Sequence, residues 1–410
     1  MEVATDIKYV GVNDFQIDLF EGMYRVPEGM AYNSYVIMDE KIAIVDTVDA
    51  AFAEEWLKKI EVVLGERKPD YLIVQHMEPD HSANIMKLVE IYPEIIPVSS
   101  TRAFVMMQHF FGTEFTEQRI VVNDGDILSL GKHKLKFFAA PMVHWPEVIM
   151  TYDITDKVLF SADAFGKFGA LESVDEDSQN NLRGAEIGME VSKWAPEAAR
   201  YYFGIVGKYG VYVQKLLGKI GSLEIKQICP LHGPVLQENI ESYVRLYHTW
   251  SNYVPEKEGV VIAYTSVYGN TKKAVELLAD KLQDAGCEKV IVHDLARCDM
   301  IEAVADAFRY DKLVLATTTY NADIFPFMRE FIAYLTERNF ANKKIAFMEN
   351  GGWAPIAAKI MRERLDKCKN LMFVEPGVRI ISVVNAENLR EMALMVKGLL
   401  EDSIIDNELQ

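Results

Sequence analysis

Short apolar runs separated by polar turns mark the first part of the chain: YVIMD at 35–39, KIAIVD at 41–46, YLIVQH at 71–76, HKLKFFAAP at 133–141 and KVLFSAD at 157–163. Runs of this length between turn residues predict a sheet-rich region with helical cover. After the polar, proline-containing stretch SNYVPEKEG at 251–259 the rhythm becomes a regular alternation of apolar strands and amphipathic helices. The pattern predicts strands over 260–265, 289–294, 312–317, 343–348 and 371–382, with helices over 271–284, 299–308, 326–337, 354–367 and 386–402. The change of rhythm divides the chain into domains at 1–252 and 258–405. Five successive βα units predict a doubly wound parallel sheet, whose ligands sit beyond the carboxyl ends of its strands. A polar, acidic segment between Leu171 and Lys193 reads as a loop or lid.

Composition changes this picture only at its edges. A chain of 410 residues has more apolar material than one core can use, which agrees with two domains. No run of about 18 apolar residues occurs, and MEVATDIKYV lacks the basic-then-apolar layout of a signal peptide, so the expectation is a cytoplasmic protein. A formal net charge of -18 repels phosphate backbones and anionic lipid, which counts against nucleic acid and membrane as partners. Cys229, Cys287, Cys298 and Cys368 form no CxxC pair and read as reduced bystanders.

The chemistry begins where YLIVQ ends. His76-Met77-Glu78-Pro79-Asp80-His81 puts four potential ligands within six residues, and extended alternation sends His76, Glu78 and Asp80 to one side. Pro79 stiffens the turn, so Asp80 and His81 can aim in different directions and serve different metals. His144 in APMVHWP, Asp163 in LFSADAFG and His232 in CPLHGP stand at similar strand-to-loop junctions. Any one of these alone is better read as a packing histidine or a turn cap. Seven imidazoles and carboxylates in one pocket would be costly unpaired, and two divalent cations neutralise them. His109, His133, His248 and His293 fall outside the pattern and read as packing or surface residues.

HxExDH followed at long spacing by single His, Asp and His resembles the metallo-β-lactamase superfamily, and specifically its flavodiiron branch. The resemblance implies an αββα sandwich for the first domain. It assigns one iron to His76, Glu78 and His144, the other to Asp80, His81 and His232, and makes Asp163 the bridging carboxylate. Glu78 stands where zinc hydrolases of the superfamily carry His, and a hard carboxylate suits iron that cycles between ferrous and ferric states. The family's adjacent tyrosine pair is matched by Tyr201-Tyr202, which makes Tyr201 a proton or hydrogen-bond donor beside the metals.

In the second domain, Thr265-Ser266-Val267-Tyr268-Gly269-Asn270-Thr271 opens directly onto a predicted helix. Hydroxyls and free backbone N–H groups can wrap a phosphate there without a cation, and Gly269 permits the tight turn. The stretch resembles the flavodoxin phosphate loop, whereas the chain has neither GxxxxGK[ST] nor GxGxxG. Thr318, Thr319, Tyr320 and Asn321 end the third strand, and Asn350, Gly351, Gly352 and Trp353 end the fourth. Tyr320 and Trp353 could flank an isoalloxazine ring, with Asn321 and the glycine backbone at its polar edge. These loops together point to FMN.

The combined resemblance implies an oxidoreductase that reduces dioxygen to water and/or nitric oxide to nitrous oxide, as a defence in anaerobic cells. Two ferrous ions and a reduced flavin hold the four electrons that dioxygen needs. It further implies a head-to-tail homodimer, or a dimer of such dimers. The chain ends without a second pair of CxxC motifs, so the expected electron source is a separate rubredoxin-like donor. The rival readings are a zinc hydrolase with a flavodoxin regulator, which Glu78 disfavours, and a gas or redox sensor.

Overall fold

The computed structural model describes residues 2–171 and 188–401. Residues 172–187 of the predicted loop or lid lie outside the described residues, and the end of that segment is helical, opening Val191–Tyr201. The chain forms two compact units, one from residues up to Tyr202 together with Val211–His248, the other from Phe203–Gly210 together with Thr249 onward. Phe203–Gly210 joins the second unit because Phe203 stacks on Phe308 at 4.5 Å and Arg338 donates to the carbonyls of Phe203 and Gly204.

The first unit is a sandwich of two sheets. One has seven strands in the spatial order Glu2–Ala4, Ile7–Tyr9, Tyr35–Ile37, Ala43–Val45, Tyr71–Ile73, Ile96–Ser99 and Ile120–Val121. The other has six: Ile127–Ser129, Lys134–Ala139, Ile149–Asp153, Val158–Phe160, Gln227–Cys229 and Leu236–Gln237. Their facing side chains, among them Ile37, Val45, Ile73, Phe137, Phe160 and Cys229, share one buried core. Ala53–Leu64 and Thr101–Phe111 are amphipathic helices, burying Trp56 and Ile60, and Phe104 and Met107, respectively. Val158–Phe160 pairs parallel with Gln227–Cys229, so the loops carrying Asp163 and His232 leave the sheet side by side. All four cysteines are unpaired, and among the described residues no helix is long and apolar enough to cross a membrane.

The second unit is a parallel sheet in the order Val290–Asp294, Lys257–Tyr264, Tyr310–Tyr320, Ala341–Gly351 and Lys369–Phe373. Starting at the second strand and crossing outward to both sides, this is the flavodoxin-like order. The predicted strand at 371–382 is two strands, Lys369–Phe373 and Val378–Ile381, both parallel to Ala341–Gly351. Pro376 lacks the N–H that a continuous ladder needs. Two other predicted strands run longer than expected, to Tyr320 and Gly351, because Thr317 and Thr318 keep pairing with Glu349 and Asn350. Loop residues of the expected flavin site therefore stand on extended strand ends.

Candidate metal and flavin sites

All seven expected metal ligands meet at one end of the first unit, in two groups: His76, Glu78, His144 and Asp163, and Asp80, His81 and His232. Asp163 turns its two oxygens apart. Oδ2 lies 2.9 Å from His144 Nε2 and 3.5 Å from His76 Nε2, while Oδ1 lies 3.3 Å from His81 Nε2 and 3.7 Å from His232 Nε2. Glu78 Oε2 is 3.2 Å from both His76 Nε2 and His144 Nε2. Asp80 Oδ2 lies 3.3 Å from His81 Nε2 and 3.4 Å from His232 Nε2. The local backbone differs from the expected extended alternation: Glu78 is the last extended residue, and Pro79–Ser82 forms one helical turn. Pro79 occupies its first position, where a missing N–H is harmless, and the turn swings Asp80 and His81 away from His76 and Glu78.

This donor set fits metal ions on its own chemistry. Both Asp80 oxygens, Asp163 Oδ1 and His81 Nδ1 are buried without a hydrogen-bond partner, and His81 Nε2 faces His232 Nε2 at 3.1 Å. The orphaned Asp80 and Asp163 oxygens, converging on the His81 and His232 Nε2 atoms, are unfavourable unless a cation joins them.

Two residues absent from the sequence reading complete the site. Glu147 is fully buried, and its Oε1 accepts from His76 Nδ1 at 2.8 Å and from the Met77 N–H at 2.9 Å. Glu21, on the turn between Leu19–Phe20 and Tyr24–Arg25, lies beside Glu78, whose charge acts on it. A lone Glu in WPE, or in a hairpin turn, carries no spacing signal. His133 and His293, read as packing residues, each meet one aspartate at 2.9 Å, Asp153 and Asp306.

The electrostatics of the metal-free pocket follow from crowding. Burial raises the Asp80 carboxyl to about 7, with the charges of Glu78 and Asp163 adding to the effect against His81. Burial and the Glu78 charge push Glu21 to about 7 as well. Burial opposes the charges of Asp163 and Glu78 too, but the surrounding imidazoles hold both well below the usual carboxylate range. His144 rises to about 9, because Asp163 and Glu78 outweigh its burial. His232 falls to about 4 through burial and the neighbouring His81. Asp80 and Glu21 are thus the carboxyls that burial and neighbouring negative charge drive toward the protonated form, while Asp163 and Glu78 are held ionised by imidazoles.

Tyr201 is fully buried beside this pocket, its ring 5.6 Å from that of His232. Its hydroxyl has no hydrogen-bond partner, and burial together with the charges of Asp163, Glu78 and Asp80 raises its pKa well above the usual value.

In the second unit a cleft of about 360 Å³ opens at the carboxyl ends of the strands. Of the expected flavin residues, Ser266, Val267, Tyr268, Asn270, Thr271, Thr318, Thr319, Tyr320, Asn350, Gly351, Gly352 and Trp353 line it. Thr265, Gly269 and Asn321 do not. Thr265 is buried, its hydroxyl 2.6 Å from that of Thr317; Gly269 caps helix Asn270–Asp284 at φ 88°; Asn321 lies just past the strand end at φ 51°, outside the lining. Ser382 also lines the cleft, brought there by the break in the predicted strand. Trp353 is 85% and Tyr268 93% exposed, large apolar rings at the mouth with little protein to cover them. Thr318 Oγ1 is buried without a partner at the cleft wall, as a hydroxyl reserved for a ligand would be. Thr318→Val keeps the shape and removes that hydroxyl. It is expected to weaken flavin binding about 5-fold, the worth of roughly 1 kcal/mol for one hydrogen bond, in a fluorescence titration of the flavin-free protein.

A metal-ligating pocket in a two-sheet sandwich and a flavin-type cleft in a flavodoxin-like sheet define the class of flavin-linked metal oxidoreductases. The profile of the ODP family beta lactamase matches residues 30–233, and that of a flavodoxin domain matches residues 261–376. The nitric oxide reductase of Moorella thermoacetica is 32% identical over 396 residues, 95% of each chain. The anaerobic nitric oxide reductase flavorubredoxin of Vibrio vulnificus is 29% identical over 89% of this chain and 72% of its own. Among solved structures, the rubredoxin oxygen:oxidoreductase of Desulfovibrio gigas matches with a TM-score of 0.87 at 25% identity, over 97% of both chains. The flavodiiron protein of Giardia intestinalis matches with a TM-score of 0.87 at 26% identity, over 97% of this chain and 95% of its own. The chain belongs to the flavodiiron family. It is an enzyme of that type, with a redox role, a flavin-binding domain and a metal site.

Proposed function

We propose that the enzyme reduces dioxygen to water, nitric oxide to nitrous oxide, or both, at two iron ions recharged by FMN. The observation that carries this reading is Asp163, whose two oxygens face two separate ligand sets. His76, Glu78 and His144 would hold one iron and Asp80, His81 and His232 the other, with Asp163 offering one oxygen to each set. When bound, the iron pair supplies single electrons to the gas and the flavin replaces them. Glu78 favours iron over zinc as a hard donor.

The remaining tasks fall to the chain's own side chains. Trp145 covers His76 edge-on at 5.2 Å, and Phe20 and Tyr32 pack edge-on against His232 at 5.3 and 5.9 Å, walls that keep water out. Tyr201 holds an O–H that no protein group uses, available to donate toward a bound gas. In the cleft, Ser266, Asn270 and Thr271 would meet the phosphate at the start of helix Asn270–Asp284, and Tyr320 and Trp353 would flank the ring. Electrons arrive from rubredoxin or a similar carrier, in keeping with the names of the Desulfovibrio gigas and Vibrio vulnificus relatives. A head-to-tail homodimer brings the flavin of one chain to the irons of the other, because electron transfer needs the two close.

Metal and flavin analysis of purified protein, followed by anaerobic turnover with a reduced donor and each gas in parallel, tests the reading. Two zinc ions, no flavin absorbance and no gas consumption would sink it. Tyr201→Phe is expected to slow turnover about 10-fold, as loss of a group supporting a metal centre does. The metal-free variant should melt no lower than the parent, because the lost hydroxyl was buried and unpaired.

A further inference from the structure

The two ligand sets are supported differently from behind. His76 Nδ1 donates to the Glu147 carboxylate at 2.8 Å, whereas His232 Nδ1 donates to the neutral carbonyl of Ala31, also at 2.8 Å. Glu147 and His76 have no exposed side-chain surface. Glu147 Oε1 also takes the Met77 N–H at 2.9 Å, while its Oε2 is buried with no hydrogen-bond partner. Each set otherwise has one carboxylate of its own, Glu78 or Asp80, and a share of Asp163. Glu21 lies beside Glu78 and Asp46 acts electrostatically on His81, but Glu147 differs from both in accepting directly from the imidazole of a candidate ligand, where His232 has a neutral carbonyl.

We propose that Glu147 makes the two iron positions electronically unequal, acting as a positioning residue through His76 and not as a ligand. This rests on the di-iron reading above. A carboxylate behind an imidazole draws its Nδ1 proton and makes the other nitrogen a stronger donor, which favours the more highly charged metal. The dry surroundings of Glu147 strengthen that influence. One-electron oxidation of the reduced pair, with the electron passing to a chemical mediator, therefore takes it from the iron beside His76. No bond breaks in that step. The Nδ1 proton stays within the His76–Glu147 hydrogen bond, displaced toward Oε1.

Glu147→Gln separates charge from geometry, because its amide oxygen can still accept from both His76 Nδ1–H and the Met77 N–H. Iron and flavin analysis of the parent protein comes first; absence of an iron pair there defeats the di-iron reading itself. With the pair present, potentiometric titration followed by electron paramagnetic resonance and Mössbauer spectra reads each iron. In the Gln variant the lower of the two iron potentials is expected to rise toward the higher. Retention of one iron of the pair should fall about 10- to 100-fold, with the flavin and the melting temperature of the metal-free protein unchanged. Glu147→Asp, which keeps the charge, should recover most of the parent's low potential. Unchanged potentials in the Gln variant, a shift of the higher potential alone, or an Asp variant shifted as far as Gln would each overturn the proposal. So would loss of flavin together with iron, which would make Glu147 a structural residue.

Discussion

Asp163→Ala is expected to empty both metal positions at once and to abolish gas reduction while the flavin stays bound. The expectation follows from the divided carboxylate: Oδ2 serves the His76 and His144 side, and Oδ1 serves the His81 and His232 side. Loss of a merely supporting group costs about 10- to 100-fold in metal affinity, so loss of a ligand common to both ions should cost at least that at each. The flavin should remain because the core beneath its cleft, from Val260 to Leu399, lies wholly within the second unit. The metal-free variant should also be less stable than the metal-free parent. In the folded protein Asp163 is held well below its ordinary pKa by His76, His144 and His81. A depressed carboxylate stabilises the fold above its unfolded pKa and loses that contribution as pH falls through the folded value. Near neutral pH, Asp163 therefore holds three imidazoles that the Ala variant leaves without it. Metal analysis, flavin absorbance and calorimetry of the chelated proteins check these points. A variant that keeps its iron, or that sheds its flavin, would contradict them.

The legible part of this protein is the part whose chemistry is tied to strand ends. His76, His144, Asp163 and His232 each follow an apolar run, so the periodicity that predicted the strands also located the candidate ligands, and the fold gathers all seven into groups that could hold metal. Charges brought together from distant loops were not legible. Glu147 reaches His76 across a separation of 71 residues, and Glu21 reaches Glu78 from a hairpin turn. Neither approach leaves a trace in local spacing. The flavin loops were legible as a composition of hydroxyls, glycines and aromatics, but not side chain by side chain. A hydroxyl-rich run does not say which face each residue takes, and Thr265 faces Thr317 where Ser266 faces the cleft. Ser382 was hidden for another reason: Pro376 splits what reads as one strand and returns the chain to the cleft edge.

Asp80→Asn should produce the opposite stability change from Asp163→Ala, although both variants lose metal. Burial raises the folded-state pKa of Asp80 to about 7 from an ordinary 3.8, and neither of its oxygens has a hydrogen-bond partner. The unfolded chain gives up this proton at lower pH than the folded one. Between the two values the folded state binds more protons, so stability falls as pH rises, and above about 7 the whole cost of a buried, uncompensated carboxylate is felt. At about 1.36 kcal/mol per unit this cost is on the order of a few kcal/mol. Asparagine cannot ionise and escapes it, while His81 keeps Asp163 at 3.3 Å. The metal-free Asn variant should therefore melt above the metal-free parent at pH about 8, with most of the gap closing at pH about 5, where Asp80 is protonated in the folded protein. Loading with ferrous iron should reverse the order, because iron stabilises the parent by binding a site that the variant has lost. The check is a pair of melting curves at each pH, with and without metal. A metal-free variant that melts below its parent at the higher pH, or a gap independent of pH, would mean that Asp80 is compensated by something other than a cation.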